Sequence, residues 1–184
     1  MRILILSHTR CGSTTLCKWL SKELDIALDA THYDFEQFDS VFLKDNIIRK
    51  IVVEEYYPTK EEINKFDRVI CLSRNNSVDS AISFVHADNK KKWHIEYEIT
   101  KEWIDENKND ILKQIFKYDE LKLRLKEYKG LQTKYEGIYV NKSEINSILN
   151  YMNIQFPKYL HMLNYDGKYR KDNNVFVKKH IGII

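Results

Sequence analysis

Proline and glycine are scarce in this chain of 184 residues, with 2 and 5 copies. So few breakers leave no flexible linker, and the chain reads as one domain, 1–184, with a sizeable core. Cysteine is scarce too: Cys11, Cys17 and Cys71 have neither metal-ligand nor disulfide spacing. Each lies in or beside an apolar segment, so reduced, partly buried thiols are expected, and no metal. No apolar run approaches the roughly 20 residues of a membrane span. The opening MRILIL is too short for a secretory signal, which makes a reducing cytoplasm the expected location. A formal net charge of +3 is too mild to argue for nucleic acid, but it suits a multiply anionic ligand. The basic cluster Lys168, Arg170, Lys171, Lys178 and Lys179 fits a solvated tail.

What is present is concentrated between Arg2 and Leu24. The apolar run Ile3–Leu6 stops at Ser7-His8-Thr9-Arg10-Cys11-Gly12-Ser13-Thr14-Thr15, after which Leu16, Trp19, Leu20 and Leu24 return at helical spacing. This is a buried strand, a tight turn and a helix start, where unpaired N–H groups and the helix dipole favour an anion. Gly12 allows close backbone approach, Ser13, Thr14 and Thr15 add hydroxyls, and Arg10 adds a cationic fork suited to phosphate or sulfate oxygens. Here again an absence is informative. The triphosphatase pattern G-x-x-x-x-G-K-[ST] lacks its Lys, there is no G-x-G-x-x-G fingerprint, and Cys11 is followed six positions later by Cys17 rather than by a phosphatase Arg.

The rest of the chain alternates strand and helix, which predicts an α/β fold built on a three-layer parallel sheet. Strands are expected at Ile26–Ala30, Ile47–Val53, Val69–Leu72 and Lys134–Val140. Thr59 caps a short helix through Phe66, another helix starts near Ser77, and a last one spans Ser143–Met152. Residues 88–130 are charged and predominantly helical, an insertion or lid with Thr100 as a cap and Ile104, Ile111, Ile115 and Tyr118 as its apolar stripe.

Ligands of a parallel sheet gather at strand carboxyl ends near a topological switch point. Arg10 and Ser13 follow the first strand; Arg74, Ser80 and Ser83 follow the strand at 69–72, so a ligand with two separated anionic groups would suit them. At these residues the chain resembles the sulfotransferases that use 3′-phosphoadenosine 5′-phosphosulfate (PAPS). Thr9-Arg10-Cys11-Gly12-Ser13-Thr14-Thr15-Leu16 is similar to their 5′-phosphosulfate loop, with Cys11 in place of the common Ser. Ser73-Arg74-Asn75-Asn76 through Ser83 is similar to their 3′-phosphate motif, with the nine-residue Arg-to-Ser interval of the bacterial trehalose-sulfotransferase branch. Ala87 and Trp93 echo that branch, and Lys134-Tyr135-Glu136-Gly137-Ile138 resembles a later "YEDL" segment.

The resemblance implies a P-loop-like fold, PAPS as donor, no metal, and a hydroxyl acceptor on a small molecule, carbohydrate or lipid. It assigns Thr9 to Thr15 to the 5′ side of the donor and Arg74, Ser80 and Ser83 to the 3′-phosphate. A base must take the acceptor proton. Tyr33-Asp34-Phe35-Glu36-Gln37-Phe38 stands where the trehalose-type branch carries its Glu, which makes Glu36 the first candidate. Glu55 is the second, with His32 and Asp34 behind it. His8 either helps hold the transferring group or packs at the strand end, and Tyr169 and Arg170, with Tyr165, form a lid or an ordinary packed C-terminus. Two rivals stay open: an inactive nucleotide-binding or interaction protein on the same fold, and a nucleotide kinase, disfavoured by the missing loop Lys.

Overall fold

The computed structural model describes residues 1–29, 45–90, 100–164 and Ile181. They fall into two compact units. The first is Met1–Asn75 with Leu121–Asn164; the second spans Asn76–Glu120 together with Tyr165–Ile184.

The first unit holds the sheet: β1 (Arg2–Ser7), β2 (Ala27–Asp29), β3 (Ile47–Val52), β4 (Arg68–Ser73) and β5 (Leu131–Lys134). The spatial order is β2-β3-β1-β4-β5 and every pairing is parallel. The chain is therefore α/β, with the P-loop-like arrangement in which the central β1 runs through a loop into helix α1 (Ser13–Leu24). Ile5 pairs with Lys50 of β3 on one side and with Ile70 of β4 on the other. The connection out of β1 leads to β2 on one side and that out of β4 leads to β5 on the other, so the carboxyl ends of β1 and β4 form a topological switch point.

Burial explains why these segments are strands. Ile3, Leu4, Ile5 and Leu6 are all fully buried, so both faces of β1 are covered, as a parallel sheet requires. Ile3 and Ile5 join Ile48, Ile70 and Leu72 in one core with Leu16, Cys17, Trp19 and Leu20 of α1. Helix α5 (Ile145–Met152) adds Ile148, Leu149 and Met152, and a 3₁₀ turn at Leu160–Leu163 adds Leu163. Each such side chain contributes about 1.5–3 kcal/mol of burial. The short helix α2 (Lys60–Ile63) starts from a capping box, in which Thr59 Oγ1 accepts from the Glu62 N–H at 3.2 Å and Thr59 N–H donates to Glu62 Oε2 at 2.6 Å.

One expected element is different. Strand β5 ends at Lys134, and Glu136–Val140 is a π-helical turn, closed by the Asn141 N–H donating to Glu136 O at 3.0 Å. Tyr135, Ile138 and Tyr139 are buried while Val140 is exposed. That is the i, i+3, i+4 spacing of a helical face, whereas strand alternation would set Ile138 opposite both tyrosines.

In the second unit, helix α3 (Ser77–Lys90) carries a buried polar edge of Ser77, Ser80, Ser83 and His86. Helix α4 (Lys101–Leu125) begins in this unit and ends in the first. Thr100 Oγ1 caps it by accepting from the Trp103 N–H at 3.3 Å. Ile104, Ile111 and Tyr118 are fully buried, while Ile115 is only half-buried beside the buried Gln114. Among the described residues no helix is long and apolar enough to cross a membrane.

Candidate functional site

The β1–α1 loop is held from beneath. Arg10 and Gly12 both take left-handed backbone angles, φ 62° and 81°, which turn the chain sharply before α1. Gly12 O accepts the Leu16 N–H at 3.1 Å and the Tyr139 hydroxyl at 2.7 Å. A Cβ on Gly12 would lie 2.7 Å from Tyr139 Cε2 and 3.2 Å from Tyr135 Cδ2, so two rings fill the space where any other side chain would go.

The sequence-predicted loop residues separate into inward and outward sets. Cys11 is fully buried and its Sγ donates to His8 O at 2.8 Å. Burial pushes its thiol up to about 12, and that of Cys17 likewise to about 12, so neither is a thiolate nucleophile. Ser13 is buried, whereas Arg10, Gly12 and Thr15 are half-buried and Thr14 is exposed. The first-turn N–H groups of α1 have no acceptor within the helix, so the outward set can hold an oxyanion.

His8 joins this loop to the end of β4. Its Nδ1 lies 2.7 Å from Thr9 O and its Nε2 lies 3.0 Å from the Arg74 backbone nitrogen. The carbonyl must receive a proton and the amide must give one, so the imidazole is the neutral Nδ1–H tautomer. Complete burial holds its pKa down at about 4, and the charges of Arg74 and Lys122 act in the same direction. With both ring nitrogens in use, His8 ties two strand ends together.

Arg74 itself is buried. Its Nη1 donates to Arg10 O at 3.4 Å, and its guanidinium carbon lies 4.4 Å from the centre of the Tyr135 ring. Tyr135 also stacks on Tyr139, centroids 4.9 Å apart. Beside it, Asn75 N–H donates to Glu136 Oε2 at 3.0 Å, and Lys122 Nζ of α4 donates to Asn75 O at 3.1 Å. The Tyr135-Glu136 segment singled out from the sequence therefore meets Arg74 and Asn75, and it does so from a π-turn.

Two residues in and just after β3 escaped the sequence reading. Glu54 Oε1 accepts from both the Thr9 N–H at 2.8 Å and the Thr9 hydroxyl at 2.7 Å, so Thr9 spends its donors on protein rather than facing a ligand. Glu55, the second candidate base, is exposed, with its N–H on Val52 O at 3.0 Å. Lys50, half-buried, donates from Nζ to Thr14 Oγ1 at 3.2 Å. Its signal was parity: in Ile48-Arg49-Lys50 it shares the face of the buried Ile48, where a lysine is unusual.

In the second unit Ser80 and Ser83 are both buried; Ser80 Oγ donates to Asn76 O at 3.4 Å, and Ser77 Oγ donates to Asp119 Oδ1 at 2.6 Å. Ala87 is buried as well. Glu36, with His32 and Asp34, lies outside the described residues, as do Trp93, Tyr165, Tyr169 and Arg170. Among the described residues no group of three or more His, Cys, Asp or Glu could hold a metal ion.

Comparison with protein-family models gives no match. Comparison with curated proteins gives none either. Among solved structures, the YorR protein of Bacillus subtilis, in complex with phosphorylated GDP, is similar with a TM-score of 0.45 and 15% sequence identity, over 84% of this chain and 97% of that one. A likeness of that size bears on neither ligand nor activity.

Proposed function

We propose that this chain binds a nucleotide carrying two separated anionic groups, and that it is a PAPS-dependent sulfotransferase acting on a hydroxyl of a small-molecule, carbohydrate or lipid acceptor. The observation that carries the reading is the joining of Arg74 to the β1–α1 loop. Two hydrogen bonds, through His8 and through Arg10 O, bring the arginine that follows β4 against the arginine-bearing loop that follows β1. Arg10, the first-turn N–H groups, Thr14 and Thr15 then receive the 5′ phosphosulfate. Arg74 receives the 3′-phosphate.

In the transfer, a base takes the acceptor proton as the acceptor oxygen attacks sulfur. The bond from sulfur to the 5′-phosphate oxygen breaks, and adenosine 3′,5′-bisphosphate (PAP) leaves. Catalysis of this kind rests on in-line positioning and on stabilising charge at the transferring group and leaving phosphate. Glu36 is the first candidate base and Glu55 the second, a role worth about 10²–10⁴ in rate.

Calorimetry with PAP tests the reading; a folded protein that ignores millimolar PAP would sink it. Arg74→Ala should weaken PAP binding by roughly 1.5–3 kcal/mol, the size of a charge-assisted contact to a phosphate. Unchanged affinity would remove Arg74 from the site. A binding protein without transfer is the second reading, favoured by His8, whose two nitrogens are committed to backbone partners rather than to a transferring group. It predicts PAP binding with no sulfuryl transfer across a broad acceptor screen.

A further inference from the structure

We propose that Lys50 is an oxyanion-binding residue of this site, supplying from strand β3 the lysine that the loop itself lacks. The inference rests on the reading that the β1–α1 loop holds an anionic group, but not on which nucleotide carries it.

Three observations lead there. The first is position. Aligned on Gly12, the loop reads Ser7-His8-Thr9-Arg10-Cys11-Gly12-Ser13-Thr14, so Ser13 stands where the triphosphate-binding pattern has its lysine and Thr14 where it has its hydroxyl. Lys50 Nζ is 3.2 Å from that Thr14 hydroxyl. The ammonium thus reaches the neighbourhood a loop lysine would occupy, approaching from the next strand.

The second is the cost of the arrangement without a ligand. Lys50 pairs with Ile5 in the middle of the sheet and shares its face with Ile48, which is fully buried in the α1 core. Its stem runs through that apolar layer before the head emerges at the helix start. Among the described residues no carboxylate lies within ion-pair distance of the ammonium. Burial lowers its pKa, with Cys17, Cys11 and Glu55 opposing the shift.

The third is sign. The amino end of a helix is the positive end of its dipole, where acidic side chains stabilise and cations destabilise. The first turn of α1 has no acidic residue, and the charged side chain that reaches it is a lysine. An oxyanion seated there reverses the balance, since it meets the ammonium, the first-turn N–H groups and the Thr14 hydroxyl together. A lysine kept for packing alone would have no such reversal.

Lys50→Met keeps the apolar stem and removes the charge. In thermal unfolding of the whole chain without ligand, the variant should melt about 1–3 °C higher than the parent, because an unfavourable charge has gone. In the same assay its stabilisation by inorganic pyrophosphate and by PAP should fall, with affinities roughly tenfold or more weaker. Lys50→Arg should keep most of the response. A variant that melts lower and still responds fully to pyrophosphate would overturn the proposal, as would a parent that responds to neither probe. If the parent responds to pyrophosphate but not to PAP, and Lys50→Met loses that response, Lys50 stands and the PAP reading falls; a nucleoside triphosphate arm then asks whether the kinase reading replaces it. Should Lys50→Met not fold, Lys50→Gln against Lys50→Arg makes the same comparison: loss in the first alone supports the assignment, and an equal response in both refutes it.

Discussion

Replacing Gly12 with alanine is expected to cost roughly 2–5 kcal/mol of stability and to remove oxyanion binding. Two costs add. A left-handed φ of 81° strains any residue with a Cβ, by about 1–2 kcal/mol. The new methyl also meets Tyr139 Cε2 at 2.7 Å and Cζ at 3.1 Å. The Tyr139 ring cannot swing aside freely, because its hydroxyl donates to Gly12 O and its face lies against Tyr135, on which the Arg74 guanidinium rests. Overpacking of a fixed neighbourhood adds about 1–3 kcal/mol. Urea denaturation gives the stability and calorimetry the binding. In a Tyr139→Ala background the same substitution should cost mainly its backbone strain, since the 2.7 Å contact has been removed and only Tyr135 Cδ2 at 3.2 Å remains. A loss below about 1 kcal/mol in the parent would mean that the loop does not need this backbone.

Acid should loosen the protein through His8. Its folded pKa is held at about 4 against an ordinary value of 6.5, mainly by burial. Between those values the unfolded chain binds a proton that the native state refuses, so stability rises with pH across this window and falls as pH drops from about 6.5 toward 4. A shift of this size corresponds to about 3 kcal/mol at the acid end and to nothing above neutrality. The structural event is specific: an imidazolium would turn its Nε2–H toward the Arg74 N–H, a bond it now accepts. Denaturation at a series of pH values in the parent and in His8→Gln checks it. The glutamine variant should lose about one proton of the slope whatever its own stability. Identical slopes would assign the acid sensitivity to other groups.

Much of the framework can be read from residue pattern, because parallel strands must be apolar on both faces. Ile3–Leu6 and Val69–Leu72 admit few other interpretations, and Thr59 and Thr100 mark helix starts through hydroxyls that do cap. The segment after β5 is harder. Tyr-Glu-Gly-Ile-Tyr-Val alternates well enough to pass for a strand, and only the joint burial of Tyr135, Ile138 and Tyr139 separates the two periodicities. Within the site, residues adjacent in sequence to the loop were recognisable, while those reaching it across strands were not. Lys50 lies in the strand that pairs with β1 and Glu54 just beyond its end, so their relevance depends on register. A register shift of one residue decides between Glu54, which holds Thr9, and Glu55, which is exposed.

The three thiols have a use beyond their packing. All are free and buried, and they sit in three different elements: Cys11 in the loop, Cys17 in α1 and Cys71 in β4, beside the central strand. None can react with an alkylating reagent until its own element opens, because the reactive form is the thiolate and the native site denies it both solvent and charge. Timed alkylation, followed by mass spectrometry of the resulting peptides, thus gives three opening equilibria from one unmodified chain. The order in which the three cysteines acquire label reports whether the loop, the helix or the sheet gives way first.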